Sequence, residues 1–187
     1  MAKKSKAAEN VLTEVRVRLV PGMQLFSDKP LQSAGDVVET LGHELATYDR
    51  EYFMIANFDT SLHPINYSII SMGHLDFAIV SIPNVIKTAI LSNAASMILL
   101  HNHPSGDPTP SSDDIDVTRR LKMAADLMGV GILDHIIVGA NTLPDREPPY
   151  FSMKESGIID FEKRKCEKFI NEYFRKESSW ATRKTRR

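Results

Sequence analysis

The sequence has one cysteine and one tryptophan in 187 residues, and it lacks any long apolar run. The single cysteine, Cys166, excludes an internal disulfide and any zinc site built from several thiolates. The apolar runs are only a few residues long, far below the ~20 residues of a membrane-spanning helix. The first residues, MAKKSKAAENV, are charged and no apolar segment follows them, which predicts no secretory signal. We therefore expect a cytoplasmic protein without membrane contact.

The composition, 42% hydrophobic and 25% charged, is that of a globular chain that can bury a sizeable core. The net charge of −1 hides an uneven distribution, because both ends are basic and the middle is acidic. Basic tails are usually solvated, and otherwise they bind nucleic acid or an acidic partner. The composition thus predicts one domain with two basic appendages, and it leaves the oligomeric state open.

Apolar periodicity and turn residues divide the chain into alternating strands and helices. The predicted strands are 13–19, 51–59, 65–72, 96–103, 131–139 and 148–153, and the predicted helices start near Ser33, Pro83, Ser111 or Ser112, and Phe161. Three prolines and a glycine make 104–110 a loop. Because a tight turn joins two early strands while helices separate the later ones, we expect an α/β fold with a mixed sheet flanked by helices.

The stretch LLHNHPSGDPTPSSDDIDVTRRL, residues 99–121, places two histidines at the end of a strand and several acids at the start of a helix. Residues two apart in a strand project from the same face, so His101 and His103 can bind one metal ion. An open catalytic zinc site takes three protein ligands. The candidates for the third are the acids of the following helix, Asp113, Asp114 and Asp116.

The same helix start has a structural interpretation. Ser111 and Asp114 have the spacing of a capping pair, and the helix dipole favours acids in a first turn. Each feature alone is more typical of structure than of function. The whole combination, with a rigid loop between the histidines and the acids, favours a metal site.

These residues resemble a known family. The pattern His101-x-His103-x7-Ser111-x2-Asp114 is similar to the signature of the JAMM (MPN+) metalloprotease domain. The flanking HNHPSG, PTPSSDD and LDHIIVG resemble its RadC-like (JAB) branch. The resemblance implies the α/β sandwich of JAMM domains, which is related to cytidine deaminases.

The resemblance also divides the chain. It covers about 31–159, the RadC-like JAB/MPN domain. Residues 1–30 are then an N-terminal extension with an edge strand, and 160–187 form a basic C-terminal helix and tail.

The resemblance implies a role for each residue of the motif. His101, His103 and Asp114 match the zinc ligands, and Ser111 matches the serine that supports a developing oxyanion. The family places a glutamate about 50 residues upstream as general base, and Glu51 occupies that position.

Two further residues are candidates for the site. Glu44 is the alternative base, although helical spacing would place it away from the strand end. His135, in the family's Leu-Asp-His-Ile-Ile segment, is either a residue that orients a ligand or Asp134, or a buried structural histidine. The remaining histidines, His43, His63 and His74, are expected to be structural or exposed.

The resemblance implies a Zn²⁺-dependent hydrolase that cleaves a peptide or isopeptide bond in a peptide or protein substrate. The alternative is a DNA-associated accessory protein with a structural or non-catalytic metal site, whose basic tails bind nucleic acid. In longer relatives a helix-hairpin-helix module precedes this domain, and no such module is found here. This chain also has Pro83-Asn84-Val85 where the family usually has Pro-Arg-Glu. A cytidine deaminase is disfavoured, because that chemistry needs a Cys-x-x-Cys pair.

Overall fold

The computed structural model describes residues 18–22, 31–73, 80–141 and 147–162. Its elements follow the predicted order closely. They are α1 Ala34–Val37, a π-helical turn Val38–Gly42, α2 His43–Leu45, β1 Tyr52–Phe58, β2 Pro64–Met72, α3 Ile82–Leu91, β3 Ser96–His103, α4 Ser112–Leu127, β4 Gly131–Gly139 and β5 Tyr150–Ser152. Most of the predicted strand 13–19 and nearly all of the predicted helix 161–177 lie outside the described residues. None of the described helices is long and apolar enough to cross a bilayer.

The five strands form one sheet in the order β2-β1-β3-β4-β5. The pairs β1–β2, β1–β3 and β4–β5 are antiparallel, and β3–β4 is parallel. A parallel pair needs a crossover, and α4 supplies it between β3 and β4. The prediction of an α/β fold with a mixed sheet is confirmed.

Helices cover both faces of this sheet. On β1, Met54 and Phe58 pack against the cluster that contains α1 and α2, whereas Phe53 and Ile55 pack against the cluster that contains α3 and α4. The period-2 alternation of a strand produces this division. The central strand β3 is buried on both faces, which explains its nearly continuous apolar run.

Central strand β3 also positions the site. Met97 and Leu99 face α3 and α4, so His101 two residues later projects toward the start of α4. Asn102 has the opposite phase and projects toward the side of α1 and α2. The end of β3 therefore contributes polar side chains to both layers of the fold.

The loop 104–110 returns the chain from β3 to α4 and packs closely on β4. A Cβ at Gly139 would overlap the carbonyl of Gly106 and lie 2.9 Å from Cγ of Pro149. Gly106 itself has φ +86°, a conformation that favours glycine. Gly139 thus allows the loop to approach the sheet and to place the start of α4 near the histidines.

Replacing Gly139 by alanine is expected to lower the free energy of unfolding by about 1–3 kcal/mol, because the new methyl meets backbone that must shift. Urea unfolding measures the change. Gly131→Ala on the same strand is the matched control, since its Cβ would have only ordinary contacts, the nearest atom being Cβ of Ser96 at 3.5 Å. Equal losses in both variants would show that the approach of the loop is not what Gly139 permits.

Candidate metal centre

His101 and His103 project from the same face of β3, as the strand phase predicts. Their Nε2 atoms lie 3.0 Å apart. His101 is buried with 3% exposure, whereas the side chain of His103 keeps 13% of its surface exposed. The pair therefore points from the core toward a surface that solvent reaches.

Asp114 approaches the two histidines from the first turn of α4. Its Oδ1 lies 3.1 Å from Nε2 of His101, and its Oδ2 lies 3.5 Å from Nε2 of His103. Asp113 and Asp116, the other acids considered from the sequence, are exposed. Asp114 is the acid that the fold brings to the histidines.

The capping interpretation of Ser111 and Asp114 also holds. Ser111 is the N-cap of α4, and its Oγ accepts from the backbone N–H of Asp114 at 3.2 Å. In return, Oδ2 of Asp114 accepts from the backbone N–H of Ser111 at 2.7 Å and from its hydroxyl at 2.6 Å. The capping box occupies Oδ2 and holds the carboxylate with Oδ1 toward His101. Capping and metal binding are therefore compatible in the same two residues.

The donor set fits a metal cation. Nδ1 of His103 lies 2.8 Å from the carbonyl of Asp107, which can only accept, so this ring carries its proton on Nδ1 and presents a lone pair at Nε2. Among the described residues, His101, His103 and Asp114 form the one group of three or more metal-binding side chains, with ligand atoms within 4.8 Å of one another. A tetrahedral ion with bonds of about 2.0–2.1 Å separates its ligands by roughly 3.3 Å, close to the spacing here.

The electrostatics of the group favour a cation. Burial alone would raise the pKa of Asp114, but its close contacts with the rings of His101 and His103 and the hydrogen bond from Ser111 hold the pKa of this carboxyl far below its usual range. Burial lowers the pKa of His103, yet Asp114, the carbonyl of Asp107 and the charge of Glu51 together raise it. The carboxylate is therefore ionised, and the group attracts positive charge.

The structure separates the two candidate bases. Glu51 precedes β1, is partly buried, and lies close enough for its charge to raise the pKa of His103. Glu44 in α2 instead accepts a hydrogen bond from the hydroxyl of Tyr48 at 2.6 Å and helps to raise the pKa of that tyrosine to about 12. Glu51 is the glutamate near the candidate metal ligands.

The other histidines differ in their surroundings. His135 on β4 is fully buried, and its Nε2 lies 2.8 Å from Nδ1 of His101. Burial and the nearby histidines hold its pKa well below the usual value. His63 pairs with Asp59 at the surface, and His74 lies outside the described residues. His135 thus contacts a candidate ligand directly.

Asn102, which separates the two candidate ligand histidines, has a structural role that the sequence reasoning missed. It is fully buried, and its Oδ1 accepts from the backbone N–H of Tyr52 at 2.8 Å. Its Nδ2 donates to the carbonyls of Arg50 at 3.0 Å and Tyr48 at 3.5 Å. The amide therefore fixes the backbone on both sides of Glu51. A polar residue in a buried strand was the available signal, since such groups nearly always have partners.

Asn102→Ala is expected to lower the free energy of unfolding by about 2–4 kcal/mol, because it removes the three hydrogen bonds that this fully buried amide makes to the backbone. Asn102→Asp keeps the acceptor but places a carboxylate against two carbonyls, so it should also destabilise the fold. Chemical unfolding measures both losses. Asn84→Ala, at an exposed helical position, is the control and should change stability by less than about 0.5 kcal/mol. A similar small change in the Asn102 variants would contradict the anchoring role.

Comparison with known proteins gives the same family as the motif. The family model described as "RadC-like JAB domain" matches residues 31–158. A UPF0758 protein of Desulfitobacterium hafniense is 40% identical over 151 residues, which cover 78% of this chain and 63% of the relative. A UPF0758 protein of Syntrophomonas wolfei is 43% identical over 150 residues, 78% of this chain and 60% of the relative. A UPF0758 protein of Caldanaerobacter subterraneus is 40% identical over 130 residues, which cover 70% of this chain and 53% of the relative.

The chain spans about three fifths of the length of the first two of these relatives. The family match includes every element of the site described above, from Glu51 through the two histidines and Asp114 to His135. With its signature residues brought together at the end of β3, the chain belongs to the RadC-like JAB domain family.

Proposed function

We propose that the protein is a zinc-dependent hydrolase that cleaves a peptide or isopeptide bond. The observation that carries the proposal is the convergence of two imidazole nitrogens and one carboxylate, 3.0–3.5 Å apart, beside a second carboxylate. Structural zinc sites are closed by four protein ligands, whereas catalytic sites take three and leave one position to water. Three candidate ligands, two of them partly exposed, with Glu51 nearby, favour the catalytic kind.

The proposed chemistry uses the zinc ion and the side chains of Glu51 and Ser111. Bound zinc would supply a water of lowered pKa and a Lewis acid for the substrate carbonyl. The carboxylate of Glu51 would accept the proton of that water and deliver it to the leaving amine. Asn102 supports this role because it holds the backbone on either side of Glu51.

Ser111 would donate a hydrogen bond to the oxyanion that develops on the substrate. In the structure its hydroxyl proton is directed to Oδ2 of Asp114, while its oxygen accepts from the N–H of Asp114. A hydroxyl can rotate its proton while the oxygen keeps its acceptor role. The N-cap would therefore hold the oxygen in place while the proton rotates from Asp114 toward the substrate.

Metal analysis of the purified protein, followed by digestion of a library of peptides and isopeptides, tests the proposal. We expect cleavage that a chelator abolishes and that added zinc restores. Bound zinc without cleavage of any library member would favour the alternative, an accessory protein with a structural metal. Measuring DNA binding against salt concentration examines that alternative, since phosphate contacts weaken steeply with salt.

A further inference from the structure

Behind the candidate metal centre, three buried side chains form a line of hydrogen bonds. Nδ1 of His101 lies 2.8 Å from Nε2 of His135, and Nδ1 of His135 lies 2.5 Å from Oγ1 of Thr118. Oγ1 of Thr118 also lies 2.5 Å from the backbone carbonyl of Asp114, one helical turn earlier. The line therefore runs from one candidate ligand to the backbone of another.

The direction of these hydrogen bonds follows from counting protons, beginning at the carbonyl. A carbonyl oxygen only accepts, so the hydroxyl of Thr118 donates to Asp114, as helical threonines commonly do toward residue i−4. That hydroxyl has no second proton. The 2.5 Å contact between Oγ1 and His135 must then take its proton from the ring, which places a proton on Nδ1 of His135.

The same proton count gives the tautomers of His135 and of the candidate ligand His101. His135 is fully buried, with His101 and Thr118 as the ring's hydrogen-bond partners, so a neutral ring with a single N–H is the form that burial favours. Its proton is on Nδ1, and Nε2 can only accept. The 2.8 Å contact with His101 therefore takes its proton from Nδ1 of His101. A neutral His101 is left with a lone pair on Nε2, the atom that faces His103 and Asp114.

The opposite direction would make His101 unable to bind a metal. If His135 donated from Nε2, Nδ1 of His101 would have to accept, and a neutral His101 would carry its proton on Nε2. Phe53 keeps the two rings in place, stacked on His101 at 6.1 Å and edge-on to His135 at 5.5 Å between ring centroids. These contacts restrict rotation of the two rings, so the direction of the hydrogen bonds is set by the carbonyl of Asp114.

We infer that Thr118 is a positioning residue that acts through His135 to hold His101 in its metal-binding tautomer. The inference rests on the proposed metal centre and extends it to a residue 17 positions after His101 in the chain. It also explains the polar character of the position: Thr118 is fully buried on α4, and valine would fill the same volume without the hydroxyl.

Thr118→Val tests the inference, with Thr118→Ser as the variant that keeps the hydroxyl. Long-range ¹H–¹⁵N NMR of the metal-free protein at mildly alkaline pH reports which ring nitrogen is protonated. In the wild type and Thr118→Ser we expect His135 protonated on Nδ1. In Thr118→Val that proton loses its acceptor, so His135 should populate the other tautomer. Zinc affinity, measured by competition with a chromophoric chelator, should fall about 10–100-fold in Thr118→Val and stay near the wild-type value in Thr118→Ser.

Thr88→Val is the matched control. Thr88 donates to the carbonyl of Asn84 at 2.9 Å, the same i−4 bond, on the exposed side of α3. It should leave the tautomers and the zinc affinity unchanged. Wild-type His135 protonated on Nε2, or wild-type zinc affinity in Thr118→Val, would overturn the inference. The NMR measurement on the metal-free wild type requires no variant and no catalytic turnover. Its result is therefore independent of whether the proposed hydrolase activity exists.

Discussion

The purified protein is expected to hold about one zinc ion per chain, and His103→Ala or Asp114→Asn is expected to lose most of it. A site with three protein ligands cannot lose one and keep its affinity, because two ligands hold zinc weakly. His103 is the better histidine to replace, since it is partly exposed, whereas His101 also packs against Phe53 and His135. Elemental analysis after extensive dialysis measures the loss.

The choice of asparagine at position 114 separates metal binding from helix capping. Asp114→Ala would also remove the acceptor of the Ser111 N–H, at a cost of about 1 kcal/mol. Asparagine keeps a carbonyl oxygen for that bond and loses the charge. Asp113→Ala is the matched control, because this exposed acid lies in the same helical turn and is not a member of the metal group. Full zinc content in either ligand variant would mean that the ion binds elsewhere.

The strands and the shared face of the two histidines could be predicted from the sequence because both depend on short-range periodicity, whereas the choice of Asp114 among three acids rested on the family resemblance. The period of two along β3 places His101 and His103 on the same face, and the prolines of 104–110 force a loop before the next helix. From the sequence, capping and metal binding are two alternative interpretations of Ser111 and Asp114. In the structure the capping box is what orients the carboxylate, so the two interpretations are parts of one arrangement.

The supporting contacts join residues far apart in the chain, so local spacing could not predict them, and His135 was a candidate only through the family resemblance. Asn102 holds the backbone at Tyr52, 50 residues earlier, and His135 lies 34 residues after His101. The pairing of β1 and β4 on either side of β3 creates both contacts. Local spacing carries no information on such pairings. The roles of the basic tails remain predictions, since those residues lie outside the described part of the chain.

The structure gives the two candidate general bases, Glu44 and Glu51, different surroundings. Glu44 is engaged by the hydroxyl of Tyr48, and its charge acts on that tyrosine and on Tyr67. Glu51 acts on His103, and its carbonyl accepts from the N–H of Gly73 at 2.8 Å. The matched substitutions Glu51→Gln and Glu44→Gln therefore compare two glutamates of similar chemistry, only one of which lies near the candidate metal ligands.

Glu51→Gln is expected to keep its zinc and to lower hydrolysis by about 10²–10⁴-fold, because an amide cannot accept the proton that a carboxylate takes from water. Glu44→Gln should keep both zinc and activity. The measurements are metal content and the rate on any peptide or isopeptide that the wild-type protein cleaves. Loss of zinc in Glu51→Gln would make Glu51 a fourth ligand and the site a closed, structural one. Unchanged turnover with zinc retained would place the base elsewhere, and Glu44→Gln would then show whether that residue carries the proton instead.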